Sequence, residues 1–280
     1  MKPTTYAYLG PAGTFTEAAL RQIANESDVL VPYSNVTAAL DAVRSGAAEK
    51  VLVPIENSVE GVVSRTLDEL ALGTPLVVTA ETTIPVSFSL MILPENMGKP
   101  ITKIATHPHA ESQCRTYVAK NYPQAEIIEM SSTAAAAKGL KDGNYDAAIA
   151  SEIAATTYGL KVLDSDVGDN SGAVTRFVVA QKPGATPEPT GNDRTSLVAF
   201  IGKDHAGALL EILTEFAKKD VNLTFIQSRP TGRELGDYHF IIDAEGHIAD
   251  PKVAAAIDGV RNICEDIRFL GSYPRVGKSN

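Results

Sequence analysis

Four short clusters hold residue types that can bind or polarise a small anionic molecule. Gly10-Pro11-Ala12-Gly13-Thr14 follows a strand-like run and opens a helical one. Its glycines let the backbone approach a ligand, and a helix start offers N–H groups to an anion. The same residues also make a tight turn and cap, and both readings stay open. Glu56-Asn57-Ser58 follows Val-Leu-Val-Pro-Ile and reads as a ligand-facing loop or as a hydrogen-bonded turn. Thr106-His107-Pro108-His109 precedes a helix carrying Gln113 and Cys114. Two histidines and a cysteine invite zinc, but the paired spacing of a closed site and a clear fourth ligand are missing, so no metal is expected. Thr175-Arg176-Phe177 lies in the apolar run Ala-Val-Thr-Arg-Phe-Val-Val-Ala, where an arginine needs an anionic partner, either a substrate carboxylate or an Asp or Glu. Alternation sends Thr175 and Arg176 to opposite sides of a sheet, and Thr175 is the better candidate for a cleft. No P-loop, nucleophile elbow, Cys-x-x-Cys pair or kinase signature occurs, and Gly10-x-x-Gly13 lacks the dinucleotide fingerprint; no cofactor is expected.

The elements that must position these clusters alternate in the manner of parallel α/β architecture. Strands are predicted at 5–9, 29–32, 51–54, 102–106, 126–129, 147–150 and 161–163, with helices at 14–24, 36–44 and 132–140. Thr14-Phe-Thr-Glu17 is a capping-box pattern. Residues 75–94 read as long strands without a helix between them, a crossover between two lobes, and 173–180 as a further apolar strand. Residues 182–192, rich in Pro and Gly, form an expected linker. Beyond it the order strand, helix, strand, strand, helix, strand is ferredoxin-like. The expected domains are therefore 1–181, with one lobe at about 1–80 and 167–181 and another at about 81–166, and 193–276. Of the 280 residues 44% are apolar and 21% charged, mean hydropathy is −0.03 and net charge is −9. That composition builds cores and offers no basic surface for nucleic acid or anionic membrane. With no run of about 18 apolar residues and no signal-peptide pattern at the start, a cytoplasmic location is expected. Cys114 and Cys264 read as buried thiols rather than a disulfide.

Together the clusters resemble the prephenate dehydratase family. The stretches that carry the resemblance are Tyr8–Thr16, Val53-Pro-Ile-Glu-Asn-Ser-Val-Glu-Gly61, Ile84–Phe88, Thr106–Cys114 and Thr175–Phe177. Further on, Gly207–Leu213, Gln227–Pro230, Tyr238–Asp243 and Leu270–Arg275 are similar to that family's ACT regulatory module. The resemblance implies a two-lobed, periplasmic-binding-protein-like catalytic domain followed by a ferredoxin-like ACT domain. It implies conversion of prephenate to phenylpyruvate, CO2 and water, and feedback by phenylalanine in a homodimer or homotetramer. It assigns catalysis to Thr175, Asn57, Gln113 and Thr106. It also implies substrate contacts at Gly10, Pro11, Ala12, Gly13, Thr14, Glu56, Ser58, Arg176 and Phe177. Effector contacts are implied at Gly207, Ala208, Leu209, Gln227, Ser228, Arg229 and Pro230. Gln227 stands where the family usually carries glutamate. Two other functions compete: the same chemistry on arogenate, with Glu56 a candidate partner for its ammonium, and a non-catalytic two-lobed sensor of amino or keto acids.

Overall fold

The computed structural model describes residues 2–202, 205–232 and 238–276. In chain order the elements are β1 (Thr5–Leu9), α1 (Phe15–Arg21), β2 (Val29–Tyr33), α2 (Val36–Ser45), β3 (Lys50–Asn57), β4 (Gly61–Val62), α3 (Ser64–Leu72), β5 (Val77–Pro85) and β6 (Ser89–Ile92). There follow β7 (Lys103–Thr106), α4 (Pro108–Gln113), α5 (Arg115–Asn121), β8 (Glu126–Glu129), α6 (Thr133–Gly139), β9 (Ala147–Ala150), α7 (Glu152–Tyr158), β10 (Lys161–Asp164) and β11 (Val174–Gln181). The C-terminal part holds β12 (Asp193–Phe200), α8 (Ala208–Lys218), β13 (Leu223–Pro230), β14 (Tyr238–Glu245), α9 (Pro251–Ile263) and β15 (Asp266–Pro274).

Three sheets result. The first has the order β2-β1-β3-β11-β5 with β4 on β3, the second β10-β6-β9-β7-β8, and the third β13-β14-β12-β15. The second is mixed where a parallel sheet was expected: β7 runs parallel to β8 and β9, but β6 is antiparallel to β9 and β10. β6 enters this sheet from β5 of the first sheet after only three residues, with no helix between them. The apolar face of this sheet packs Phe88, Leu90, Ile104, Ile149 and Cys114 into one core. Both cysteines are free, and burial raises the Cys114 thiol to about 12 and the Cys264 thiol to about 11.

The third sheet is antiparallel throughout, in the ferredoxin-like order, and buries Leu197, Phe216, Ile242, Ile257 and Val260 beneath α8 and α9. Leu270 is the extra residue of a bulge where β15 pairs with β12, between Ser196↔Gly271 and Leu197↔Phe269.

Two compact units emerge from the packing. One comprises the residues up to Ala39 with Leu52–Val62 and Thr83–Phe177, the other Leu40–Val51, Val63–Thr82 and the chain from Val178 onward. The second unit thus includes α3 together with the four-stranded C-terminal sheet. No helix among the described residues is long and apolar enough to cross a membrane.

Candidate active site

Strand β3 runs through Pro54, past the point where the sequence suggested it would stop. A proline withholds one N–H but keeps an extended φ, so the strand continues through Glu56 and Asn57. Alternation then places these two on opposite faces, as it does Thr175 and Arg176 on β11, the neighbouring strand. On one face Arg176 Nε lies 2.8 Å from Glu56 Oε1, with the arginine side chain only 5% exposed. On the other, Asn57 Nδ2 donates to Thr175 Oγ1 at 2.8 Å. The polarity of the Asn57 amide is set by its own loop, because Oδ1 accepts the backbone N–H groups of Val59 (2.8 Å) and Glu60 (2.9 Å). The NH2 end must therefore face Thr175. A hydroxyl that accepts from an amide keeps its own hydrogen for another acceptor.

The loop that follows is a three-residue hairpin. Asn57 pairs with Gly61 and Glu56 with Val62, and Gly61 takes φ +82°, the left-handed turn position that glycine fills without strain. Ser58 ties the loop to β11 twice, its N–H on the Val174 carbonyl and its hydroxyl under the Val174 N–H, each at 2.9 Å. From this loop the Glu60 carboxylate reaches α4, accepting from Gln113 Nε2 at 2.9 Å and lying 3.8 Å from His109 Nδ1. Asn57, Thr175, Ser58 and Gln113 are thus joined in one network, with Glu60 as the link that the sequence reading did not single out. Only its presence in Val-Glu-Gly, inside a matched stretch, hinted at it.

Three further groups of predicted site residues are engaged by partners within the protein. The Gly10–Thr14 turn was offered as a carboxylate cradle, but the Gly13 N–H donates to Glu17 Oε2 at 2.7 Å and the Gly10 N–H to the Tyr33 carbonyl at 2.8 Å. Glu17, the capping-box residue, occupies the position an anion would take, and Thr14 Oγ1 accepts its N–H. The turn is held from α7 and its start instead: Ser151 donates to the Gly13 carbonyl and Tyr158 to that of Ala12. A cavity of about 450 Å³ beside α1 and β2 is lined by Ala12, Glu17, Arg21 and Tyr8 and includes none of the Asn57 network. Thr106 is buried and gives its hydroxyl proton to the Ile149 carbonyl at 2.8 Å, so that proton serves the fold. Arg176 and Glu56 neutralise each other, and Phe177, 1% exposed, belongs to the core. No group of three or more His, Cys, Asp or Glu among the described residues could hold a metal.

In the C-terminal module Gly207 caps α8 with φ +97°, Leu209 is exposed and Gln227 turns its Nε2 to the Ser228 carbonyl. Arg229, the expected effector contact, forks over Asp68 of α3 at 2.8 and 2.7 Å and reaches Ser64 Oγ at 3.2 Å. Arg268 covers the other end of α3, donating to the carbonyls of Gly73 (2.6 Å) and Leu70 (3.3 Å), where cations suit the helix dipole. Beside these arginines lies His239, fully buried, with neither ring nitrogen hydrogen-bonded. Burial above all, then Arg229 and Arg268 against Asp68, holds its pKa below the ordinary value. An unfolded chain therefore takes up this proton first, and stability falls as pH drops below about 6.5. His239→Leu should flatten that acid limb in thermal unfolding from pH 7 to 5, and should add on the order of 1 kcal/mol at pH 7 by removing the unpaired nitrogens.

Two α/β sheets, one of them bearing a polar hairpin network, followed by a ferredoxin-like module, define a mixed α/β protein with a separate C-terminal module. The family model described as prephenate dehydratase matches residues 6–185, and that of the ACT domain residues 196–262. The chain is 46% identical over 270 residues to a protein of Amycolatopsis methanolica named prephenate dehydratase, covering 96% of this chain and 88% of that one. A crystal structure of prephenate dehydratase from Arthrobacter aurescens in complex with L-Phe is 49% identical, with a TM-score of 0.92 over 97% of this chain and 90% of that one. A structure described as GqqA, a quorum-quenching acylase, is 28% identical, with a TM-score of 0.86 over 99% of this chain and 100% of that one. The chain belongs to the prephenate dehydratase family, with a C-terminal ACT domain.

Proposed function

We propose that the chain converts prephenate to phenylpyruvate and that phenylalanine, held by the ACT domain, inhibits it. Two bonds from the ring to its substituents break. The electrons of the C–CO2 bond enter the ring as CO2 leaves, and the ring hydroxyl departs and becomes water by taking up one proton. The observation that carries this reading is the Asn57 amide on Thr175, which leaves the threonine hydrogen for the departing oxygen. A threonine is too weak an acid to surrender that proton outright near pH 7. It acts as an oriented donor that stabilises the developing charge, while the proton itself comes from solvent. One such donor contributes about 3–4 kcal/mol, and aromatisation with escape of CO2 drives the rest. The ring carboxylate must lose its charge, so a strong ion pair there would favour the ground state. Arg176 held by Glu56 fits that requirement, and the same pair removes Glu56 as an ammonium partner, favouring prephenate over arogenate. The acylase relative illustrates that a fold does not fix a reaction. The two thiols of this chain, raised by burial, are poor acyl-transfer nucleophiles. Following phenylpyruvate absorbance after mixing purified protein with prephenate tests the reading. Turnover that phenylalanine suppresses supports it, and ligand binding without product favours the sensor.

For regulation, α3 is the element to watch. It is gripped by Arg229 and Arg268 of the ACT sheet and follows the β3–β4 hairpin after one residue, Val63. Asp68→Asn is expected to leave kcat within about twofold and to raise the phenylalanine concentration for half inhibition about fivefold or more. Inhibition curves check this, and an unchanged curve contradicts it. The same reading divides the chain at 182–192, which holds no helix or strand. It takes the exposed Leu209, Leu210 and Ile226 as support for a homodimer or homotetramer, and places the enzyme in the cytoplasm.

A further inference from the structure

We infer that Glu60 is a positioning residue for this reaction, fixing which end of the Gln113 amide the hairpin holds and which end is left for substrate; the inference rests on the function proposed above. Glu60 sits in a hairpin loop whose N–H groups are capped by Asn57 and whose Ser58 is fastened in both directions to Val174, the residue before Thr175. Its backbone therefore has a fixed place relative to the Thr175 hydroxyl. Gln113 is held equally well from behind, since its carbonyl accepts the Asp169 N–H at 2.6 Å and the next residue, Cys114, is buried in the core. Between two fixed backbones only the side-chain torsions remain free. The 2.9 Å bond from Gln113 Nε2 to Glu60 Oε1 removes them.

A carboxylate only accepts, so it selects the NH2 end of the glutamine and turns the carbonyl end away. Without Glu60 the two ends of the amide become nearly equivalent. The same device operates at Asn57, where two backbone N–H groups select the carbonyl end. Two amides of opposite polarity are thus set by neighbours that never need to touch substrate. Glu60 also joins elements of different sheets, the β3–β4 hairpin and the helix α4 that follows β7, so its bond forms only when those elements are correctly approximated.

The test uses full-length protein, prephenate and phenylpyruvate absorbance, with thermal unfolding to confirm that each variant is folded. Glu60→Ala is expected to lower kcat about 10- to 100-fold with KM changed less than about threefold, the signature of lost positioning. Gln113→Glu, which faces two carboxylates toward each other, should lose at least as much. The exchange Glu60→Gln with Gln113→Glu restores one carboxylate, one amide and the bond between them. It should recover about tenfold or more over Gln113→Glu alone. Glu60→Ala within twofold of wild-type kcat, or an exchange no faster than Gln113→Glu, overturns the inference. A wild-type protein that forms no phenylpyruvate would instead overturn the function on which it rests.

Discussion

Asn57→Asp is expected to lower kcat by about 10²- to 10³-fold although it changes neither the size nor the shape of the side chain. The aspartate keeps both acceptor bonds to Val59 and Glu60 but loses the N–H that now donates to Thr175. An ionised carboxylate in that place can only accept. The Thr175 hydroxyl would then swing its hydrogen toward residue 57 and present a lone pair to the departing oxygen, which is the wrong polarity for a group gaining negative charge. Thr175→Val should cost about the same, because both variants remove one oriented donor. The double variant should be no slower than the worse single one, since the two residues act as a unit. The aspartate variant carries its own control: as pH falls through the pKa of residue 57, protonation restores a donor and activity should rise, whereas Thr175→Val should show no such recovery. Steady-state kinetics over a pH series measures all of this. Additive losses in the double variant would mean that Asn57 and Thr175 serve separate purposes.

Gly271→Ala should produce the largest loss of stability. In the bulge of β15 this glycine adopts φ +144°, and a Cβ added there would lie 2.1 Å from the carbonyl oxygen of Val78 on β5 and 3.0 Å from its carbon. Both are backbone atoms, so no rotamer change relieves the overlap. The left-handed conformation and the displacement of β5 together should cost about 3–5 kcal/mol, seen as roughly a 10 °C fall in Tm. Gly61→Ala separates the two causes. At φ +82° with nothing within 4 Å of its added Cβ, it should lose only about 1–2 kcal/mol for the backbone conformation. Equal losses at the two positions would show that backbone contact with Val78 contributes nothing.

Local patterns were legible in the sequence wherever the cause is local. The capping residues of α1, the alternation along β11 and the helix–strand order of the C-terminal module all depend on neighbours within a few positions, and the structure shows them. The paired faces of β3 and β11 were half legible. Alternation separated Thr175 from Arg176, and the cost of a buried cation demanded an anion, but whether that was a substrate carboxylate or an acidic side chain, here Glu56, depended on sheet order. What was missed lies far apart in sequence. Gln113 meets Glu60 across 53 positions, Ser151 meets Gly13 across 138 and Arg229 meets Asp68 across 161. Thr106 shows the complementary case, since its type and motif suggest chemistry while its hydroxyl also joins β7 to β9, a contact no local pattern reveals. Residue type states what a group can do, and long-range packing decides what it has left to do it with.

If Asn57 leaves the Thr175 hydrogen free for the oxygen that departs, Thr175→Ser and Thr175→Val must differ sharply in turnover. Serine retains the hydroxyl and its acceptor site for Asn57, valine retains the shape without either. With prephenate as substrate and phenylpyruvate as the readout, serine should keep kcat within about tenfold of wild type while valine falls by about 10²- to 10³-fold. A valine variant that turns over as fast as the serine variant would show that the Thr175 hydrogen plays no part in the departure of the oxygen.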